Sequence, residues 1–385
     1  MASILLVIIY IAFISLGLPD SLLGSAWPVI YKDLNIPISS MGMLTMLISF
    51  GTITSSLFAS KLNHKFGSGL VTSISVFLTA IAMFGFSISN SLLMLSLFAF
   101  PYGFGAGAID STLNNYVSLH YKKKHMNFLH AFWGIGTLVG PFAMSYAISN
   151  KLGWQKGYEV VAMIQLVISL IVFGSLFMWK KQREEQQNEQ EHLNIFQVLK
   201  IKHIKYLMFA FLLYTGFEAT MFNWVSTYLV KDKGISEDLG ALLASIFFIG
   251  MTVGRIISGI LSNKVKSKHI IRIGFLLIIT GMIVILFSFI YYQVAVLGII
   301  IAGLGAAPIF PSIIHRTPSL FDRKKSQAII SIEMFFAYSG VVLMPAIFGL
   351  IANYVTIQSL PLYILIIIII SFILLETLNK KVKNT

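Results

Sequence analysis

The chain has no cysteine, and only 15 of its 385 residues are acidic. The first absence excludes disulfides, thiol nucleophiles and thiolate metal sites. Charge of both signs is scarce as well: 11% of residues are charged against 57% hydrophobic, too few to cover the surface of a water-soluble globule of this size. No hydrophilic domain is left over, and no phosphate loop or set of histidines at metal-ligand spacing is present. The glycine-rich run GFGAGA at 103–108 lies inside an apolar stretch rather than between a strand and a helix, so it fails as a dinucleotide fingerprint. Neither a metal nor an organic cofactor is expected, and the chain does not read as an enzyme. With nothing to hydrolyse a nucleotide, any work must draw on an ion gradient or on a solute's own gradient.

Long apolar runs are abundant. Stretches of the ~20 residues needed to cross the hydrocarbon core recur at 3–31, 39–61, 67–88, 92–120, 127–150, 157–179, 204–231, 237–262, 269–291, 293–320, 326–353 and 358–378. The expected fold is an all-α membrane protein of twelve transmembrane helices, multi-pass, monomeric and seated in a bacterial plasma membrane. Its first span lacks a cationic leader and a small-residue cleavage site, which favours its retention. One long polar interruption, KKQREEQQNEQEHLNIFQVLKIKHIK at 180–205, separates two sets of six. The expected division is an N-terminal half at 1–180, a cytoplasmic linker at 181–203 and a C-terminal half at 204–385. The linker's mixed charge suits a solvated tether along the membrane surface.

The net charge of +13 is organised by topology. Grouping the loops alternately places 21 Lys and Arg on one side and five on the other, a bias that puts both termini in the cytoplasm. The basic excess is therefore not a nucleic-acid surface, and the partners expected are the lipid bilayer and a small solute.

A shift of about 200 residues brings the halves into register. Gly51 then falls on Gly250, GFGAGAID at 103–110 on GLGAAPIF at 303–310, and Gly136 with Pro141 on Gly340 with Pro345. Parallel repeats of this kind characterise transporters whose solute site lies between halves near the bilayer midplane. Close helix packing also favours recurrent small residues. Together the six-plus-six spans, the central loop and the repeat resemble the major facilitator superfamily over the full length. The loop expected after span two, SKLNHKFG at 60–67, is similar to that family's G-x-L-x-D-R-x-G signature, with Ser60 and His64 replacing the glycine and the acid. GILSNKV at 259–265 is similar to its second copy, with Asn263 for the acid. The lysines of these segments serve equally as positive-inside anchors. GAGAIDSTLNNYV in span four, an acid in span one, FLHAFWGIGTLVGP, YTGFEATMFNWVSTYL and GMTVGRIISGILS resemble the fucose permease and sodium-dependent glucose transporter-like branch. That resemblance implies a sugar carried with a cation, and span-one and span-four acids that handle the ion.

Ionisable groups inside spans are expensive and mark function. Asp20 and Asp110 are the expected proton-coupling pair, with sodium as the second choice of ion. Asp20 follows Pro19, which loosens its helix, and shares a face with Gly24, Trp27 and Tyr31. Trp27 reads either as a wall of the solute site or as an interfacial belt residue. Asn114 stacks one turn beyond Asp110, with Asn115 beside it, and both are expected solute contacts. His130 either relays protons, hydrogen-bonds a solute hydroxyl or packs, and Trp133, three residues on, is a further expected solute contact. In the second half Tyr214, Glu218, Asn223 and Trp224 supply the mix of hydrogen bonding and ring stacking that binds sugars, with Tyr338 beyond them. Glu218 and Glu333 are also candidate partners of Arg255 in a gating or structural ion pair. The expected function is secondary active transport by alternating access, proton-coupled symport of a sugar or similar polyhydroxylated solute. The alternatives are proton-driven drug efflux, a non-transporting solute sensor and a lipid flippase.

Overall fold

A computed structural model describes residues 2–121, 123–179, 195–261, 265–288, 291–321 and 325–382. Every regular element in it is helical. The first half contains α1 (Ala2–Asp20), α2 (Leu22–Asp33), α3 (Ser40–Phe66), α4 (Ser68–Ser87), α5 (Leu92–His120), α6 (Lys123–Ser149) and α7 (Trp154–Gly174). A short α8 (Ile195–Leu199) precedes α9 (Ile204–Lys233), α10 (Glu237–Leu261), α11 (Ser267–Leu286), α12 (Tyr292–Ala306), α13 (Ile309–Leu320), α14 (Ser326–Tyr354) and α15 (Leu360–Lys381). Ten helical segments among the described residues are long and apolar enough to cross a membrane. Two of the twelve expected spans, α3 and α9, fall outside that set. α9 carries a polar run, EATMFNWVST, that dilutes its apolar character.

Two expected spans are each built from two helices. α1 ends at Asp20 and α2 begins at Leu22, so Ser21 breaks span one directly after Pro19-Asp20. Span ten breaks at Ala307-Pro308, between α12 and α13. Its repeat partner in span four contains Pro101 but stays helical throughout α5.

The segment at 60–67 differs from the expected loop. α3 continues to Phe66 and stops at Gly67, whose φ of +82° a residue with a Cβ rarely adopts. Asn63 in its last turn is buried and accepts a hydrogen bond from Thr112 of α5 at 3.1 Å. Of the corresponding segment at 259–265, residues 262–264 lie outside the described set, as do residues 180–194 of the expected linker.

By compactness the chain forms two units, 1–184 with 225–245, and 185–224 with 246–385. In the first, Lys32 and Glu237 pair at 2.6 Å and Ser149 donates to Asp238 at 3.0 Å, which ties the start of α10 to α2 and α6. Gln165 of α7, fully buried, donates to the Ser15 carbonyl of α1 and accepts from Thr79 of α4. In the second, Arg272 of α11 grips Glu376 of α15 through two nitrogens at 2.8 and 2.6 Å, and Arg316 donates to Asn379.

The register of small residues along the sequence has a packing cause. A Cβ on Gly51 would strike the Phe100 carbonyl of α5, and one on Gly250 the Ile300 carbonyl of α12. Gly17 faces the Trp133 carbonyl, while Gly136 faces the Ile14 carbonyl, so α1 and α6 touch backbone to backbone. This contact sets Asp20, one turn past Gly17, against the face of α6 that carries Trp133. Gly17→Val is expected to force these helices apart at a cost of about 1–3 kcal/mol, read as a lower melting temperature and folded yield in detergent. Ile8→Val on the same helix serves as the control.

Candidate functional site

The first unit brings two acids of separate helices together. Asp20, at the C-terminus of α1, is half-buried with a donor on each carboxylate oxygen. Tyr102 of α5 donates to Oδ1 at 2.5 Å, and the Trp133 indole of α6 donates to Oδ2 at 2.9 Å. Both neighbours donate, so this seat suits an ionised carboxylate. Asp110, two turns beyond Tyr102 on α5, repels Asp20 through space and accepts from Asn114 Nδ2 at 2.8 Å. Asn114 is thereby committed to its own helix.

The second unit carries Glu218 on α9. Its Oε1 lies 2.5 Å from Tyr214 Oη, which also sits 2.7 Å from the Ala306 carbonyl. That carbonyl belongs to the last residue of α12, so the phenol stands at the α12/α13 break. Arg255 of α10 acts on Glu218 and Tyr214 through its charge.

Several residues stand elsewhere than the sequence suggests. Trp27 is fully buried and donates to the Ile38 carbonyl at 2.9 Å, holding the α2–α3 turn. Its ring is packing, neither solute wall nor interfacial belt. Trp224 is likewise fully buried, donates to the Pro345 carbonyl at 3.0 Å and meets Phe348 edge to face. Glu333 is buried on α14 and accepts from Thr317 of α13 at 2.9 Å, so its hydrogen-bond partner is this hydroxyl rather than Arg255. Trp133, expected to touch solute, holds the span-one acid. Asn115 and His130 are exposed, the latter with its ring edge-on to Phe13 at 5.5 Å, while Asn223 and Tyr338 are half-buried.

Tyr102 and Thr317 were not singled out in the sequence, although both touch the acids. Tyr102 follows Pro101 in the same glycine-rich run as Asp110, and that adjacency is the one local signal for it.

Comparison with known proteins accords with this arrangement. The sequence profile of the Major Facilitator Superfamily matches residues 9–315 and 206–384. The chain belongs to that superfamily. It is an integral, multi-pass membrane protein of a transporter family and not an enzyme. A curated relative, the glucose/mannose transporter GlcP of Bacillus subtilis (strain 168), is 22% identical over 318 residues, which are 78% of this chain and 77% of the relative. Among solved structures, a D-xylose-proton symporter superposes with a TM-score of 0.77 at 14% identity, covering 96% of each chain. A point mutant of the nucleoside transporter NupG gives 0.79 at 15% identity, covering 97% of this chain and 98% of its own. At these identities the structural likeness concerns the fold.

The two tryptophans separate packing from site. Trp224→Ala is expected to destabilise by about 3–5 kcal/mol, as for other large buried rings, and to lower the melting temperature sharply. Trp133→Phe keeps the ring and removes one donor, so its melting temperature should stay within a few degrees of the parent. Equal losses in both would put Trp133 in the core as well.

Proposed function

We propose that this chain is a secondary active carrier that moves a sugar or similar polyhydroxylated solute together with protons by alternating access. The observation that carries the reading is the pair Asp20 and Asp110: two carboxylates on adjoining helices of a membrane bundle, mutually repelling, each held by named donors and neither paired with a cation in the hydrogen bonds described. Bringing two like charges together in an apolar setting is unfavourable, and a proton on one removes the conflict. A group that alternates between these states during a cycle can couple solute movement to the proton gradient.

The glucose/mannose transporter and the D-xylose-proton symporter support the solute class and the ion. Sodium is the second choice. On this reading α3 and α9 also cross the membrane, giving twelve spans in the bacterial plasma membrane with both termini cytoplasmic, as the 21-to-5 distribution of Lys and Arg favours. Solute contacts fall to the exposed and half-buried polar groups, Asn115 and His130 in the first half and Asn223 and Tyr338 in the second. The chain acts as a monomer and needs no bound cofactor.

The test is uptake of labelled sugars by the purified chain in proteoliposomes, the sugars chosen by a thermal-shift screen of hexoses, pentoses and hexuronates. An inward proton gradient should drive accumulation, and replacing sodium by choline at fixed pH should leave it intact. Asp110→Asn should abolish accumulation while solute exchange persists. Accumulation by Asp110→Asn equal to the parent's would remove Asp110 from coupling.

A further inference from the structure

The hydrogen count at Tyr214 has a consequence for Glu218. A phenol carries one hydrogen and accepts through its lone pairs. Tyr214 Oη has two hydrogen-bond neighbours: the Ala306 carbonyl at 2.7 Å, which only accepts, and Glu218 Oε1 at 2.5 Å. An ionised Glu218 would also only accept. Two acceptors would then compete for a single hydrogen, leaving one pair of oxygens in contact with nothing between them. A carboxylic acid at Glu218 resolves the conflict: its O–H donates to Tyr214 and Tyr214 donates to Ala306, so each oxygen contact holds one hydrogen. The seat of Asp20 is the opposite case, since Tyr102 and Trp133 both donate to it.

From this geometry we infer that Glu218 is a proton-binding site of the second half, occupied in this conformation, and that Tyr214 reports its occupancy to the break in span ten. When the proton leaves to water, the Tyr214 hydrogen turns to the new carboxylate and the Ala306 carbonyl loses its donor. That carbonyl belongs to the last residue of α12, and Pro308 just beyond it has no N–H to offer. The segment at Ala307-Pro308 must then rearrange or take up water, which ties proton release to a movement at the joint between α12 and α13. The role in a transport cycle rests on the proton-coupled reading above; the protonation itself does not.

The charged surroundings are few. Arg255 on α10 lies within electrostatic reach of Glu218 and Tyr214. Glu333 on α14 is held by Thr317, Arg272 on α11 is paired with Glu376 on α15, and Arg316 on α13 donates to Asn379. Glu333, Arg272 and Arg316 thus hold hydrogen-bond partners other than Glu218.

Infrared difference spectroscopy of the purified full chain tests the assignment with the proton itself as probe. At neutral pH the wild type minus Glu218→Gln spectrum should contain a carboxylic-acid carbonyl band that shifts in heavy water. Tyr214→Phe, which removes the acceptor of that O–H, should move or abolish the band. A difference spectrum showing carboxylate stretches instead, or a band unaffected by Tyr214→Phe, overturns the inference. Should Glu218→Gln fail to fold, 13C-glutamate labelling of the wild type and of Tyr214→Phe identifies glutamic-acid bands without it. Failure of the proton-coupled reading looks different: uptake would ignore the proton gradient with the band in place.

Discussion

A carboxylate carried into an apolar bundle must be given hydrogen-bond donors, a counter-charge or a proton, and the organisation of this protein follows from how it meets that demand. At mid-bilayer an ionised side chain costs roughly 2.5–3.5 kcal/mol even on lenient insertion scales. Asp20 is supplied with two donors from two other helices. Asp110 has an amide of its own helix, and Glu218 shares a phenol with the Ala306 carbonyl. These unequal provisions distinguish the acids from one another.

The provisions depend on backbone contact. Tyr102 and Trp133 reach Asp20 because α1 and α6 pack without side chains between them at Gly17 and Gly136. The same device brings α3 to α5 and α10 to α12, which is why the glycines of the two halves fall into register. Helix breaks add the other ingredient. Span one is interrupted beside an acid and span ten beside the phenol that touches one, so both breaks adjoin an acid or its hydrogen-bond partner.

Much of the architecture was legible from composition and periodicity. The apolar runs located the helices to within a few residues, and the repeat picked out Gly51, Gly136, Gly250 and Gly340 as positions of close approach. Where helix ends are set by a single backbone angle, reading was less sure: SKLNHKFG looks like a loop, yet only Gly67 leaves the helix. The acids of the site were visible because their chemistry is rare in a membrane. Their partners were not, since Tyr102 and Trp133 reach Asp20 across 82 and 113 residues of sequence. Trp27 and Trp224 misled for a related reason: an indole that is polar at one edge suits a sugar, but equally suits a backbone carbonyl, and here each donates to one.

Joint movement of solute and protons is the step on which the proposed function rests. Its most direct test is a pH-electrode recording of lightly buffered vesicles containing the purified chain, to which a sugar identified by thermal shift is added on the outside. Symport makes the external medium alkaline as sugar enters, and a protonophore abolishes the response. Sugar entry of the same extent with no change in external pH would contradict it.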